Sequence, residues 1–315
     1  MRISGGLDPE TTEQVRFAAP KNYEAQGRAV TVSDYELIVS QQYTNADSVI
    51  IWGGEDEIPP QYGKVFVSIK PVDGYVITDT DKSYVVSKIL RNYNIVSIIP
   101  EFIDPDYTFV IINSKVNFNQ ANTNNTVGEI QTEAYNAILN FSDLNLDKFN
   151  LDFRFSQLST AIDNCDVSVV SNLTTVQMKK IFAPTLDIAT TYNINLYNAI
   201  APGTLTSSSF VVVHDPLLLS PYVNGKSYML QDDGQGSILM YQQGIGIATS
   251  VVRNAGIINY ETGQITLTAF MPYQGDADGN VTLIMSPQVN DIIPVRNNIL
   301  FIKPEDILVT ASIAS

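Results

Sequence analysis

The stretch TVGEIQTEAYNAILNF, residues 126–141, decides the fold class. Thr126 stands three residues ahead of Glu129, the spacing of a capping box, in which each side chain closes on a backbone N–H of the other. Ile130, Ala134, Ala137, Ile138 and Phe141 then recur at helical spacing and make one apolar face. Such a helix needs a layer to lie on. Upstream, 107–118 reads as a strand leading into the polar loop 119–125. Downstream come a shorter helix near 156–162 and a strand near 167–179. Strand, helices, strand in that order imply a small α/β sandwich, with a sheet on one side and helices on the other.

Towards the N-terminus the same grammar continues. Ser33-Asp34-Tyr35-Glu36 reads as a second capping box, opening a helix that runs to about Tyr43. Strands are expected at 48–52, at 64–70 (Val65, Val67 and Ile69 alternating with Phe66 and Ser68) and at 95–102. Thr78 caps a helix with Val85, Val86, Ile89, Leu90 and Tyr93 on one face. Residues 1–29 are polar and carry Ala19-Pro20 and Gly27, so they read as an extended arm. Past Pro184 helix signals nearly vanish. Asn224-Gly225, Asp233-Gly234, Thr262-Gly263 and Asp278-Gly279 punctuate short strands, and 264–270 alternates Ile265, Leu267 and Ala269 against Thr266 and Thr268. The expected class is α+β: an arm (1–29), a mixed α/β region (30–184) with a subdomain split near 105–120, and an all-β domain (185–315).

Composition removes whole function classes. With 18 Lys+Arg against 33 Asp+Glu, a net charge of −15 and no basic run, the 315-residue chain lacks the cations that displace counterions from phosphate. Nucleic acid and anionic membrane are excluded as partners on that ground. One cysteine (Cys165) allows no internal disulfide, and one histidine (His214) allows no His-rich zinc site. No run reaches the ~18 apolar residues of a membrane helix, and the N-terminus has no apolar stretch to act as a signal peptide. Charged residues are only 16% of the chain, so much of its surface is neutral and polar, a surface suited to contact with other protein.

The candidate chemistry is thin. His214-Asp215 is the one His/carboxylate neighbourhood, with Ser207, Ser208 and Ser209 nearby, but no G-x-S-x-G elbow is present and His214 reads as structural. Gly53-Gly54-Glu55-Asp56-Glu57 is the densest acidic cluster; between a strand and Pro59-Pro60 it reads as an exposed loop. Asp276-Ala277-Asp278-Gly279-Asn280 opens like a calcium loop but lacks the third ligand and the closing Glu. Gly234-Gln235-Gly236 and Gly244-Ile245-Gly246 are incomplete as dinucleotide fingerprints. The Asn-rich tract 117–125 and the 16 tyrosines suit an interface without proving one. No catalytic, metal or cofactor residue is assigned, and no cofactor is expected.

GGLDPETTEQVRFAAPKNYEAQGRAVTVSDYELIV (5–39) resembles the shared opening of the J-like baseplate wedge proteins of contractile-tailed phages, carried here by Arg28, Ala29, Val30, Thr31, Asp34, Tyr35 and Glu36. SVIIWGGEDEIPPQYGKVFVSIKP (48–71), LNLDKFNLDFRFSQLSTAID (144–163) and GIINYETGQITL (256–267) resemble the T-even-type branch, which forms the inner iris ring. The resemblance implies a non-enzymatic virion scaffold. It would self-associate into a ring around the tail tube, contact other wedge subunits and rearrange when the sheath contracts, with Pro184 and the Ala19-Pro20 arm as hinge candidates. Members of that branch are much longer, so Met1 is expected to lie inside a longer chain and this chain to be a C-terminal part. Two readings compete with it: a glycan-binding β-rich tail module presenting Trp52 and tyrosines, and a glycosidase using Glu55, Asp56 or Asp73.

Overall fold

The computed structural model describes residues 29–57, 59–93, 98–213, 226–242 and 250–314. The chain is mixed α/β and mostly strand, with four helices among the described residues. It divides into two compact units, the first ending at Asp106 but reclaiming Arg296–Asn298, the second formed by the rest.

The first unit begins with α1 (Val32–Gln42), followed by β1 (Ala46–Gly53) and β2 (Lys64–Pro71). Next, α2 (Asp79–Tyr84) runs on through a π-helical stretch, Val85–Leu90, to Tyr93, and β3 (Ile99–Phe102) closes the sheet. The strands lie in the order β1-β2-β3, with β1 antiparallel and β3 parallel to β2. As the middle strand, β2 is buried on both faces from Val65 to Pro71, which overrides the one-sided alternation of its sequence. Tyr35, Ile38, Val39, Val67, Ile69, Val85, Ile89 and Leu90 form the core. The cap of α1 is a correction. Thr31, not Ser33, is the N-cap; its hydroxyl accepts from Asp34 N, and the Asp34 carboxylate accepts from Thr31 N at 2.8 Å. The helix thus starts two residues early, with Tyr35, Ile38 and Val39 turned inward.

The second unit opens with β4 (Asp106–Phe118), α3 (Val127–Asn145), α4 (Phe155–Asp163) and β5 (Val169–Phe182). It continues through β6 (Thr190–Asn195), β7 (Thr206–Ser207), β8 (Phe210–Val212), β9 (Lys226–Asp232), β10 (Ser237–Gln242), β11 (Ser250–Asn259), β12 (Gln264–Phe270) and β13 (Val281–Met285). Last come β14 (Asn298–Phe301) and β15 (Ile307–Ile313). One sheet holds all twelve strands, ordered β14-β4-β5-β13-β7-β9-β10-β11-β12-β6, with β15 beside β4 and β8 beside β9. β15 runs parallel to β4, from Ile307 opposite Ile112 to Ile313 opposite Phe118. β5 serves two neighbours, pairing with β4 along Val169–Lys179 and with β13 along Met178–Phe182.

The capping box of α3 is present as read, Thr126 closing on Glu129 and Glu129 on Thr126. Ile130, Ala134, Ile138 and Phe141 are buried in one core with Leu158 and Ile162 of α4 and Ile112, Val116 and Val176 of the sheet. The Glu129 carboxylate accepts from the backbone N–H and then the hydroxyl of Thr126, which holds its pKa below the usual carboxylate value. A lowered folded-state pKa gives stability that is complete above the unfolded value, ~4.3, and lost as pH falls through the folded one. Glu129→Gln should therefore lower Tm at neutral pH and flatten the acid limb of Tm against pH. An acid limb as steep as that of the parent would count against the cap.

In β12 the expected alternation fails at its end. Ile265 and Leu267 are buried, but Phe270 replaces Ala269 on the inner face. Pairing with β6 shifts between Leu267 and Phe270, and Ala269 takes a left-handed φ of 47°. This bulge seats Phe270 edge-on to Phe210, 5.0 Å between ring centroids.

Candidate functional site

The acidic loop after β1 is a built turn. Gly54–Asp56 makes a single 3₁₀ turn, and Gln61 N–H returns to the Gly54 carbonyl at 2.6 Å. A Cβ on Gly54 would lie 2.0 Å from Gln61 O, so only glycine lets the chain close there. Glu57 accepts from the indole N–H of Trp52 at 2.7 Å and pairs with Arg296 at 3.3 Å, while the Arg296 guanidinium also donates to Asp56 O. Trp52 itself is 7% exposed and packs on Phe66. The loop is therefore an anchor for the returning segment Arg296–Asn298 within the first unit. Glu55, Asp56 and Asp73 are exposed. Expecting Trp52 to be a surface platform for sugar was wrong, since β1 and Glu57 hold the indole inside.

The other candidates among the described residues are held in structural hydrogen bonds. The Ser207 hydroxyl donates to Ser208 O and accepts from Leu230 N, both at 2.7 Å, and Ser208 Oγ accepts from Thr282 N at 3.0 Å. These serines stitch strands together. His214 and Asp215 lie outside the described residues, as do Asn224-Gly225, Gly244-Ile245-Gly246 and the Ala19-Pro20 arm. The Asp276 carboxylate accepts from Asp278 N and Asn280 N, closing the calcium-like loop on its own backbone. Asp233 does the same for Gln235 N and Ser237 N in the β9–β10 turn, which lowers its pKa. Burial pushes the half-buried Cys165 thiol up to about 11, with Glu133 and Asp166 adding to the shift, which disfavours its thiolate at neutral pH.

The Asn-rich tract is internal glue. Asn117 donates to Ser171 Oγ and accepts from Ser312 Oγ, bridging β4 to both neighbours, and the Asn125 amide donates to Asp166 and Glu133. What sequence reasoning missed is the pair Lys179–Asp306, with side chains only 11% and 9% exposed. The partners lie 127 positions apart, and nothing local announces them.

Among the described residues these candidates serve as strand stitches, turns and anchors. The family model "Baseplate structural protein gp6, C-terminal domain I" matches residues 31–103, and "Baseplate structural protein gp6, C-terminal domain III" matches 106–181. Over these residues the chain is similar to the C-terminal domains of the phage baseplate structural protein gp6. The gap between the two gp6 matches, residues 104–105, lies just before the division of the compact units after Asp106. The gp6-like chain is also 28% identical over 174 residues to "Baseplate wedge protein gp6" of Enterobacteria phage T4. That alignment covers 55% of this chain and 26% of the T4 protein, so it spans about a quarter of the relative's length.

Proposed function

We propose that the chain is a structural, non-enzymatic component of a contractile phage tail baseplate wedge, made in the host cytoplasm and carried in the virion. In this reading copies self-associate into a ring around the tail tube, contact other wedge subunits and rearrange on sheath contraction. The observation that carries it is the succession of two gp6 domain matches, each seated on its own compact unit. Every polar group of the acidic loop that could have argued for chemistry is either turned to solvent or tied to Trp52 and Arg296. The −15 charge keeps unassembled copies apart in dilute solution.

Pro184 is a poor hinge within this reading. It follows β5 by two residues, and β13 is paired to β5 as far as Phe182, so bending there would strip that pairing. We place the change of architecture at the expected boundary near Pro184, beyond which the described residues form strands and one 3₁₀ turn but no α-helix.

Light scattering on the purified chain over a range of concentrations should show a concentration-dependent dimer or larger species. Gold-labelled antibody against the chain should mark the baseplate of intact particles. Label on the capsid or nowhere would defeat the baseplate reading.

A further inference from the structure

We infer that the free edge of β15 is a self-association surface, where two copies pair antiparallel about a two-fold axis through Thr310. The inference rests on the self-association proposed above and names its surface.

Among the described residues β15 pairs with β4 alone, which leaves its other edge open. The carbonyl of Val309 faces that edge, because it accepts from the Gln131 side chain at 2.6 Å. Backbone groups alternate along a parallel strand, so Ile307, Val309, Ala311 and Ile313 present N–H and C=O outward, while Leu308, Thr310 and Ser312 face β4. In agreement, Ala314 N–H closes on Phe118 O.

Natural edges are blunted by charge, proline or a bulge. The β15 sequence, Ile307-Leu308-Val309-Thr310-Ala311-Ser312-Ile313, has none of these, in a chain of net charge −15.

The occupant is set by the pattern. With Thr310 opposite Thr310 of a second copy, Val309 meets Ala311 and Ile307 meets Ile313. All are outward-bonding positions, so the ladder forms without a register slip. The same pairing continues the inner apolar face across the axis. Ile307 and Val309 are 9% and 3% exposed, whereas Ile313 is 56% exposed and would gain the neighbouring copy's Ile307 as a cover. On the outer face Leu308, 60% exposed, meets Ser312. Gln131 exchanges its hydrogen bond to Val309 O for solvent as the ladder closes.

Thr310 against Thr310 is a non-hydrogen-bonded pair, with Cα atoms about 4.5 Å apart, inside the range of a disulfide. In a Cys165→Ser background, Thr310→Cys should give a covalent dimer on mild oxidation, and Leu308→Cys, which meets Ser312, should not. Thr310→Lys and Thr310→Glu each set like charges face to face and should weaken dimerisation by about two- to fivefold, while mixing the two restores it. Circular dichroism on each variant separates this from unfolding. A parent dimer that neither charge variant weakens, with no Thr310→Cys crosslink, overturns the edge and leaves self-association standing. A parent chain monomeric at every concentration overturns both.

Discussion

Asp306→Ala should lower the stability of the second unit by about 3–5 kcal/mol, the cost of stranding a buried charge. Lys179 sits mid-sheet on β5, where β4 and β13 flank it, and its ammonium reaches Asp306 on the short 3₁₀ turn Pro304–Asp306. The same ammonium lies 5.4 Å from the centroid of the Phe109 ring, and Lys303 lies 4.3 Å from that centroid. With the carboxylate removed, two cations lie against one aromatic ring and the inner one has little water to turn to. Lys179→Met combined with Asp306→Leu should recover most of the loss, because an apolar pair avoids the desolvation that the ion pair must offset. Urea midpoints at unchanged slope would measure both effects. A loss below about 1 kcal/mol for the single change would show the pair to be solvated.

Phe153→Ala should cost a similar ~3–5 kcal/mol, from lost transfer energy and the cavity left behind. Phe153 is fully buried and meets Phe141 of α3 edge-on, 5.9 Å between centroids at 88°. Its backbone also exchanges both hydrogen bonds with Ile292, so the ring and the bridge fix the α3–α4 connection together. Phe153→Leu keeps most of the volume and should cost less than half as much. Hydrogen exchange should quicken first in α4. Uniform quickening across the unit, with α4 no faster than the rest, would contradict this local role.

Much of this architecture was legible because it is local. The Thr126/Glu129 box, the apolar face of α3 and the strand before it each need only a dozen residues of context. Helix α1 shows how local reading fails. Thr31-x-x-Asp34 and Ser33-x-x-Glu36 are overlapping boxes, and only the core, by claiming Tyr35, selects the first. Non-local pairings were invisible. Nothing near β15 says that it returns beside β4, and nothing near Arg296 says that it leaves the second unit to grip Glu57. Trp52 was misread for the same reason, since its partner Glu57 sits in a run of acids that looked solvent-bound.

The parallel pairing of β15 with β4 has a mechanical consequence. If tension enters at the N-terminal end of β4 and leaves at the C-terminal end of β15, the two strands are drawn past each other lengthwise. All the bonds between Ile307–Ile313 and Ile112–Phe118 then bear load together, as a lap joint does under shear. An antiparallel hairpin pulled at its two ends would open like a zip, one bond at a time. The C-terminal strand is therefore riveted in the direction in which a chain under axial pull would strain it.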